Sequence, residues 1–188
     1  MSYFLKLGFV LLVITVIASG ILAYVNSLTE PIILENQRKA KAEARLEVLP
    51  EAATFDSIGT FNAENVFAGK DADGNLVGYV FLASLYGYSS DVKSMVGVNK
   101  DLIVNKIKVI SQTETPGLGA NCIKPEFQAQ FSDKGLGEMK VNKDGGPIIS
   151  ITGATITTRT ITNSIKNGLL ELEKLIPAEA ETSEEVTK

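Results

Sequence analysis

The longest uninterrupted apolar stretch of the chain lies at its N-terminus. No residue between Lys6 and Glu30 is charged, and the stretch reads LGFVLLVITVIASGILAYVNSLT. A helix of roughly 20 apolar residues spans the hydrocarbon core of a bilayer. The pattern therefore predicts a transmembrane anchor over residues 1–29. The alternative is a cleaved signal peptide, for which Ala18-Ser19-Gly20 would supply small residues near a cleavage site.

Polar residues dominate the segment that follows the anchor. Residues 35–48 read ENQRKAKAEARLEV and contain neither glycine nor proline before Pro50. Alanine, glutamate, lysine and arginine are good helix formers, and proline ends a helix. We expect a helical stalk over residues 30–50.

The rest of the chain alternates between strand-like and helix-like patterns. Residues 76–85 and 102–111 are apolar or alternating runs typical of strands, with a shorter strand, MVGVN, between them. A short helix is predicted within residues 124–134. EMKVN and PIISI predict two further short strands, at residues 138–142 and 147–151. These elements predict an α+β domain over residues 51–176.

The last predicted helix carries an apolar stripe at helical spacing. Its members are Ile161, Ile165, Leu169, Leu172 and Ile176. We interpret the stripe as the face of a core helix. Beyond it, residues 177–188 read PAEAETSEEVTK, an acidic segment with too few apolar residues to form a core, and we expect this tail to be disordered.

Composition excludes several classes of function. The formal net charge of −4 is mostly supplied by the acidic tail, so nothing suggests a basic nucleic-acid surface. The chain has no histidine, which excludes histidine-based metal sites and Ser-His or Cys-His nucleophile pairs. Cys122 is the only cysteine and forms no internal disulfide. We expect no metal site and no catalytic side chain.

Six threonines fall between Thr152 and Thr162, where the last helix begins. Threonine is a mediocre helix former, so their position calls for a reason. A predicted strand ends just before TGAT (residues 152–155), and the helix follows. Gly153 permits a tight turn at this junction. The first N–H groups of the helix favour an anion such as a phosphate. On spacing alone, the four residues favour the simpler interpretation, in which one threonine is an ordinary N-cap.

Three short motifs resemble those of one known family. TGAT, with Asp144 upstream, resembles the S/T-G-A-T flavinylation motif of the FMN-binding domain family. Residues 114–119 (ETPGLG) resemble the loop that lies against the flavin in that family. Residues 86–88 (YGY), followed by MVGVN, resemble its aromatic-glycine turn and strand. The resemblance covers about residues 65–175.

The resemblance implies a mixed α+β FMN-binding domain that carries one covalent FMN per chain. A flavin transferase would esterify the FMN phosphate to Thr155, and the hydroxyls of Thr152 and Thr157 would donate hydrogen bonds to its oxygens. The implied cofactor site consists of Tyr88, Glu114, Thr115, Gly117, Leu118, Gly119, Thr152, Gly153, Ala154, Thr155, Ile156 and Thr157.

Within this family the chain resembles the G subunits of Rnf-type ion-translocating ferredoxin:NAD oxidoreductase complexes. This implies an electron-transfer subunit of a translocase, without independent catalysis, in a membrane complex with iron–sulfur-bearing and flavin-bearing integral subunits. The alternatives are a C subunit of a Na⁺-translocating NADH:quinone oxidoreductase, a standalone extracytoplasmic flavin carrier, and a flavin-free membrane-tethered binding module.

Charge alone does not settle which side of the membrane the domain occupies. A positive-inside count favours the cytoplasm, because four basic residues follow the anchor. They are Arg38, Lys39, Lys41 and Arg45. They are interleaved with glutamates, however, and large domains translocate largely regardless of loop charge. The resemblance implies a single-pass protein of the cell membrane with its domain extracytoplasmic.

Overall fold

The computed structural model describes the backbone of residues 2–185 and the side chains of residues 3–176. The chain divides into two compact units, Met1–Ala40 and Lys41–Lys188. Residues 186–188 and all side chains from residue 177 onward lie outside the described residues. The backbone of residues 177–185 is helical, although the sequence predicts a disordered tail over residues 177–188, and for residues 186–188 the disorder stays a prediction.

Helix α1 spans Ser2–Val48, of which residues 2–40 are the described part of the first unit and residues 41–48 belong to the second. The predicted anchor and stalk form one continuous helix, with Pro31 inside it. Within the described residues it is the one helix long and apolar enough to cross a membrane. The hydroxyls of Thr15, Ser27 and Thr29 donate to carbonyls three or four residues earlier, which satisfies them inside an apolar helix.

The second unit is built on a five-stranded antiparallel sheet whose strands lie in sequence order. The strands are β1 (Thr54–Phe61), β2 (Glu64–Lys70), β3 (Leu76–Tyr86), β4 (Asp91–Asn99) and β5 (Val104–Ser111). Two α-helices follow, α2 (Pro125–Gln128) and α3 (Thr155–Glu185). Short 3₁₀ turns lie between β5 and α3, at Gly119–Ile123, Ala129–Phe131, Leu136–Glu138 and Asn142–Asp144. The α+β prediction is confirmed.

Both faces of the sheet are covered, which explains why β3 is a continuous apolar run. Successive side chains of a strand point to opposite faces. Phe81 lies in the larger core, against the predicted stripe of α3, whose first four members are buried. Val80 and Leu82 lie in a smaller core with Val48 and Leu49, at the C-terminal end of α1.

Two groups of strand predictions differ from the structure. The sequence assigns no bounded strand within residues 53–70, because this segment carries little periodic signal, whereas the structure forms β1, an edge strand with mostly exposed or half-buried positions, and β2 there. EMKVN and PIISI do not form strands. They meet at a single parallel bridge between Val141 and Ile148. A parallel ladder needs a crossover of about a dozen residues, and the link between these segments is too short for one.

Candidate cofactor site

A cleft of about 540 Å³ opens where α3 begins. Three segments form it: the β3–β4 connection, the loop after β5, and the turn into α3. Its walls are Tyr88, Glu114, Thr115, Leu118, Gly119, Gly153, Ala154, Thr155, Ile156 and Thr157. The structure thus brings together ten of the twelve residues expected at the site. Thr152 and Gly117 do not line the cleft.

The turn before α3 is closed by a hydrogen bond from the Ala154 N–H to the Ile151 carbonyl, at 2.9 Å. Gly153 occupies the third position of this turn with φ +76°. L-amino acids rarely adopt that conformation, whereas glycine does so freely. An added Cβ at Gly153 would also lie 3.0 Å from Cδ2 of Leu118. The turn is therefore packed directly against the loop after β5.

Helix α3 begins without a capping side chain. The Ala154 carbonyl accepts the first helical hydrogen bond, from the Thr158 N–H at 3.1 Å, so the N-cap is an alanine. Thr155 is the first helical residue rather than the cap. Among the described residues, no protein acceptor pairs with the N–H groups of Thr155, Ile156 and Thr157. Such free donors, at the positive end of a helix dipole, suit an anion.

The threonine hydroxyls of α3 tie the start of the helix to other segments. The Thr158 hydroxyl accepts from the Ile151 N–H and donates to the Ala154 carbonyl, both at 3.1 Å. The Thr160 hydroxyl donates to the carbonyl of Tyr86 at the end of β3, also at 3.1 Å. These bonds explain why threonines occupy a helix start that their intrinsic propensity disfavours.

The hydroxyl of Thr155 behaves differently. It is half-buried in the cleft and, within the described residues, has no protein partner. The Thr157 hydroxyl donates to Oε2 of Glu114 at 2.6 Å, so its single proton is already engaged. The hypothesis that Thr157 donates to a phosphate is therefore not supported, since its hydroxyl has another acceptor. Thr152 is exposed, outside the cleft walls.

Glu114 is the one carboxylate in the cleft wall, and it is only 4% exposed. Its Oε1 accepts from the backbone N–H groups of Tyr88 and Ser89, both at 3.0 Å, and of Ser90 at 3.4 Å. Burial raises the pKa of Glu114, but these bonds and the one from Thr157 outweigh it, so the pKa lies below its usual value. Glu114 is ionised at neutral pH.

The chemistry of the cleft fits FMN. Its rim carries three exposed apolar side chains, Tyr88, Leu118 and Ile156, which suit the flat isoalloxazine ring. The free N–H groups at the start of α3 suit the phosphate. The volume falls in the range of cofactor pockets, roughly 300–1,000 Å³. The cleft therefore offers apolar surface for the ring and free N–H donors for the phosphate.

Sequence reasoning missed two features of the site. Arg159 forms a two-bonded pair with Asp144, at 2.9 and 2.6 Å, which ties the 3₁₀ turn at Asn142–Asp144 to α3. The serines of the β3–β4 connection, Ser89 and Ser90, bond to Glu114 through their backbone. Neither feature has a signal in the sequence, because the partners are 15 to 25 residues apart.

Comparison with known proteins identifies the family. Residues 3–48 match the RnfG N-terminal region, and residues 87–170 match the FMN-binding domain, which confirms the resemblance to the FMN-binding domain family. The chain is 32% identical, over an alignment of 192 residues, to the G subunit of the Na⁺-translocating ferredoxin:NAD⁺ oxidoreductase complex of Acetobacterium woodii. That alignment covers 90% of this chain and 92% of the relative. The chain belongs to the G-subunit family of ion-translocating oxidoreductase complexes.

Another member of the G-subunit family comes from Methanosarcina acetivorans. It is the G subunit of an ion-translocating oxidoreductase complex, 29% identical over 167 residues, with 85% of this chain and 89% of that protein covered. Among solved structures, the C subunit of the Na⁺-translocating NADH-quinone reductase from Parabacteroides distasonis is similar, with a TM-score of 0.49 and 20% identity. That match covers 71% of this chain and 92% of the other.

Proposed function

We propose that this chain is the electron-transferring G subunit of an Rnf-type ferredoxin:NAD oxidoreductase complex, with one FMN attached through its phosphate to the Thr155 hydroxyl. Membership of the G-subunit family and the FMN-binding domain at residues 87–170 support the redox role. The cleft beside α3 supports the attachment site.

The environment of the Thr155 hydroxyl is the observation that supports covalent attachment at this residue. Its hydroxyl lies in the cleft and, among the described residues, has no protein partner, whereas Thr157, Thr158 and Thr160 all use theirs. An ester between this oxygen and the FMN phosphorus, formed with net loss of water, leaves one negative charge on the phosphodiester. The free N–H groups of the first turn are placed to bind that charge.

The bound flavin would supply reversible electron transfer, and the protein would supply attachment and surroundings. Gly153 turns the chain so that Thr155 enters the cleft. Tyr88, Leu118 and Ile156 present apolar surface that limits water at the ring. No proton donor or acceptor of the polypeptide is required, which agrees with the absence of histidine from the sequence.

The membrane helix serves as an anchor in this proposal. Residues 7–29 carry no charged side chain, so ion translocation would belong to other subunits. Integral subunits that bear iron–sulfur and flavin groups would deliver and accept the electrons. An extracytoplasmic position of the domain agrees with covalent attachment, because a dissociated FMN would be lost there.

Flavin fluorescence in a denaturing gel tests the attachment. The full-length chain is produced in cells with an active flavin transferase and compared with Thr155→Ala and with Thr60→Ala as the matched control, since Thr60 is an exposed threonine of β1 outside both the TGAT motif and the cleft walls. We expect fluorescent bands for the wild type and the control, and a dark band for Thr155→Ala. A dark wild-type band would favour the flavin-free binding module instead.

Co-purification separates a member of a complex from a standalone carrier. The tagged chain is isolated in mild detergent from its native host. If the chain belongs to a complex, we expect multispanning partners that carry iron–sulfur and flavin groups to co-purify with it. Isolation of a fully flavinylated chain without such partners would support the standalone carrier.

A further inference from the structure

We propose that Glu114, on the loop after β5, is a positioning residue that holds the other two walls of the flavin cleft together. One wall is the β3–β4 connection, with Tyr88 at its rim, and the other is the first turn of α3, with Thr155. The consequence for the flavin rests on the function proposed above. The structural role of Glu114 stands independently of it.

The carboxylate of Glu114 joins segments that are far apart in the sequence. Its donors Tyr88, Ser89 and Ser90 lie 24 to 26 residues earlier, and Thr157 lies 43 residues later. We name this set the Glu114 cluster. A carboxylate offers about four lone-pair directions, and these donors supply as many groups. The carboxylate is therefore occupied by the protein itself, which distinguishes a positioning role from direct binding of a cofactor.

Two glycines enclose the Glu114 cluster. A Cβ added at Gly87 would lie 2.6 Å from Oε1 of Glu114, and one added at Gly119 would lie 2.8 Å from Oε2. Any side chain at either position would displace the carboxylate. The backbone thus approaches the carboxylate closely from two directions, which keeps solvent away from it and strengthens its hydrogen bonds.

The Glu114 cluster also explains how an exposed tyrosine keeps its place at the cleft. The side chain of Tyr88 is 66% exposed, so packing fixes it weakly. Its backbone N–H donates to Oε1 of Glu114 at 3.0 Å and lies 3.3 Å from Oε2. Thr157, bonded to the same carboxylate, is two residues from Thr155 on α3. Glu114 therefore fixes the backbone of Tyr88, from which its side chain projects, relative to the start of α3.

Amide hydrogen exchange of Glu114→Gln tests the positioning role without needing flavin. The full-length chain in detergent is compared with Glu126→Gln, a matched control at an exposed glutamate. In Glu114→Gln the new side-chain amide nitrogen would face donors, and the charge-assisted bonds would be lost. We expect the amides of residues 88–90 to exchange roughly tenfold faster or more in Glu114→Gln, and at the wild-type rate in the control. Unchanged protection in Glu114→Gln would overturn the proposal.

If Glu114→Gln fails to fold, substitutions of Thr157 test the positioning role of Glu114 instead. Thr157→Val removes the hydroxyl at nearly constant size, and Thr157→Ser retains it. We expect the covalent flavin to become more accessible to iodide quenching in Thr157→Val, and quenching in Thr157→Ser to stay near the wild-type level. Equal quenching in Thr157→Val and the wild type, or no rescue by Thr157→Ser, would overturn the proposal. Failure of flavin attachment itself would appear separately, as a dark wild-type band, and would leave the exchange test intact.

Discussion

Substituting Gly153 with alanine perturbs the turn that presents Thr155. The φ angle of +76° places this residue in the left-handed region, where an L-residue costs about 1–2 kcal/mol. The new Cβ would lie 3.0 Å from Cδ2 of Leu118, so that side chain must shift as well. At 2–4 °C per kcal/mol for a domain of this size, we expect the Tm to fall by roughly 2–8 °C.

Gly74→Ala is the matched control for this substitution. Gly74 also has a left-handed φ, +85°, but an added Cβ there would meet no atom within 4 Å, and the residue lies outside the cleft. Gly153→Ala should lose at least as much stability as Gly74→Ala in thermal denaturation followed by circular dichroism, because only the Cβ at position 153 also displaces Leu118. Flavin fluorescence per chain should fall in Gly153→Ala and stay at the wild-type level in Gly74→Ala. If Gly153→Ala carries as much flavin as Gly74→Ala, the geometry of the turn is not required for attachment.

Three further predictions follow from packing and titration. A Cβ at Gly168 would overlap the Phe81 ring. Although alanine is the better helix former, Gly168→Ala should therefore lower the free energy of unfolding by about 1–3 kcal/mol. An unchanged free energy of unfolding in denaturant titration would contradict this. Burial and the nearby Glu114 charge raise the pKa of Cys122 to about 11. At neutral pH, iodoacetamide should therefore label Cys122 only after denaturation. Rapid labelling of the folded chain would refute the burial of Cys122. Because the pKa of Glu114 is lower in the folded than in the unfolded chain, its contribution to stability is present above about pH 4.3 and is lost as the pH falls through the folded-state pKa. The Tm difference between the wild type and Glu114→Gln should shrink accordingly, and a difference that is constant from pH 7 to pH 3 would argue against an ionised Glu114.

Local patterns predicted the elements whose signals are strong within one segment. The apolar run of residues 7–29 has no charge to compete with a helix long enough for a bilayer. β3 is apolar on both faces because a helix covers each side of the sheet there. The apolar stripe of α3 repeats over four turns. The motif TGAT lies where the predicted helix begins, with Gly153 in the expected turn.

Long-range contacts account for what the sequence did not reveal. β1 is held by pairing to β2 at an exposed edge, so its own side chains carry little apolar periodicity. Thr157 looks like any other threonine of the helix until the fold brings it to Glu114, 43 residues away. The resemblance placed Glu114 beside the flavin, whereas only the fold shows that its carboxylate is occupied by backbone donors.

The most direct test of this account is the mass of the intact chain and of its Thr155 peptide, taken from the native host. We expect the intact mass to increase by one FMN less one water, and the fragment ions to place the whole addition on Thr155. An unmodified chain, or a flavin found on another residue, would contradict the central claim.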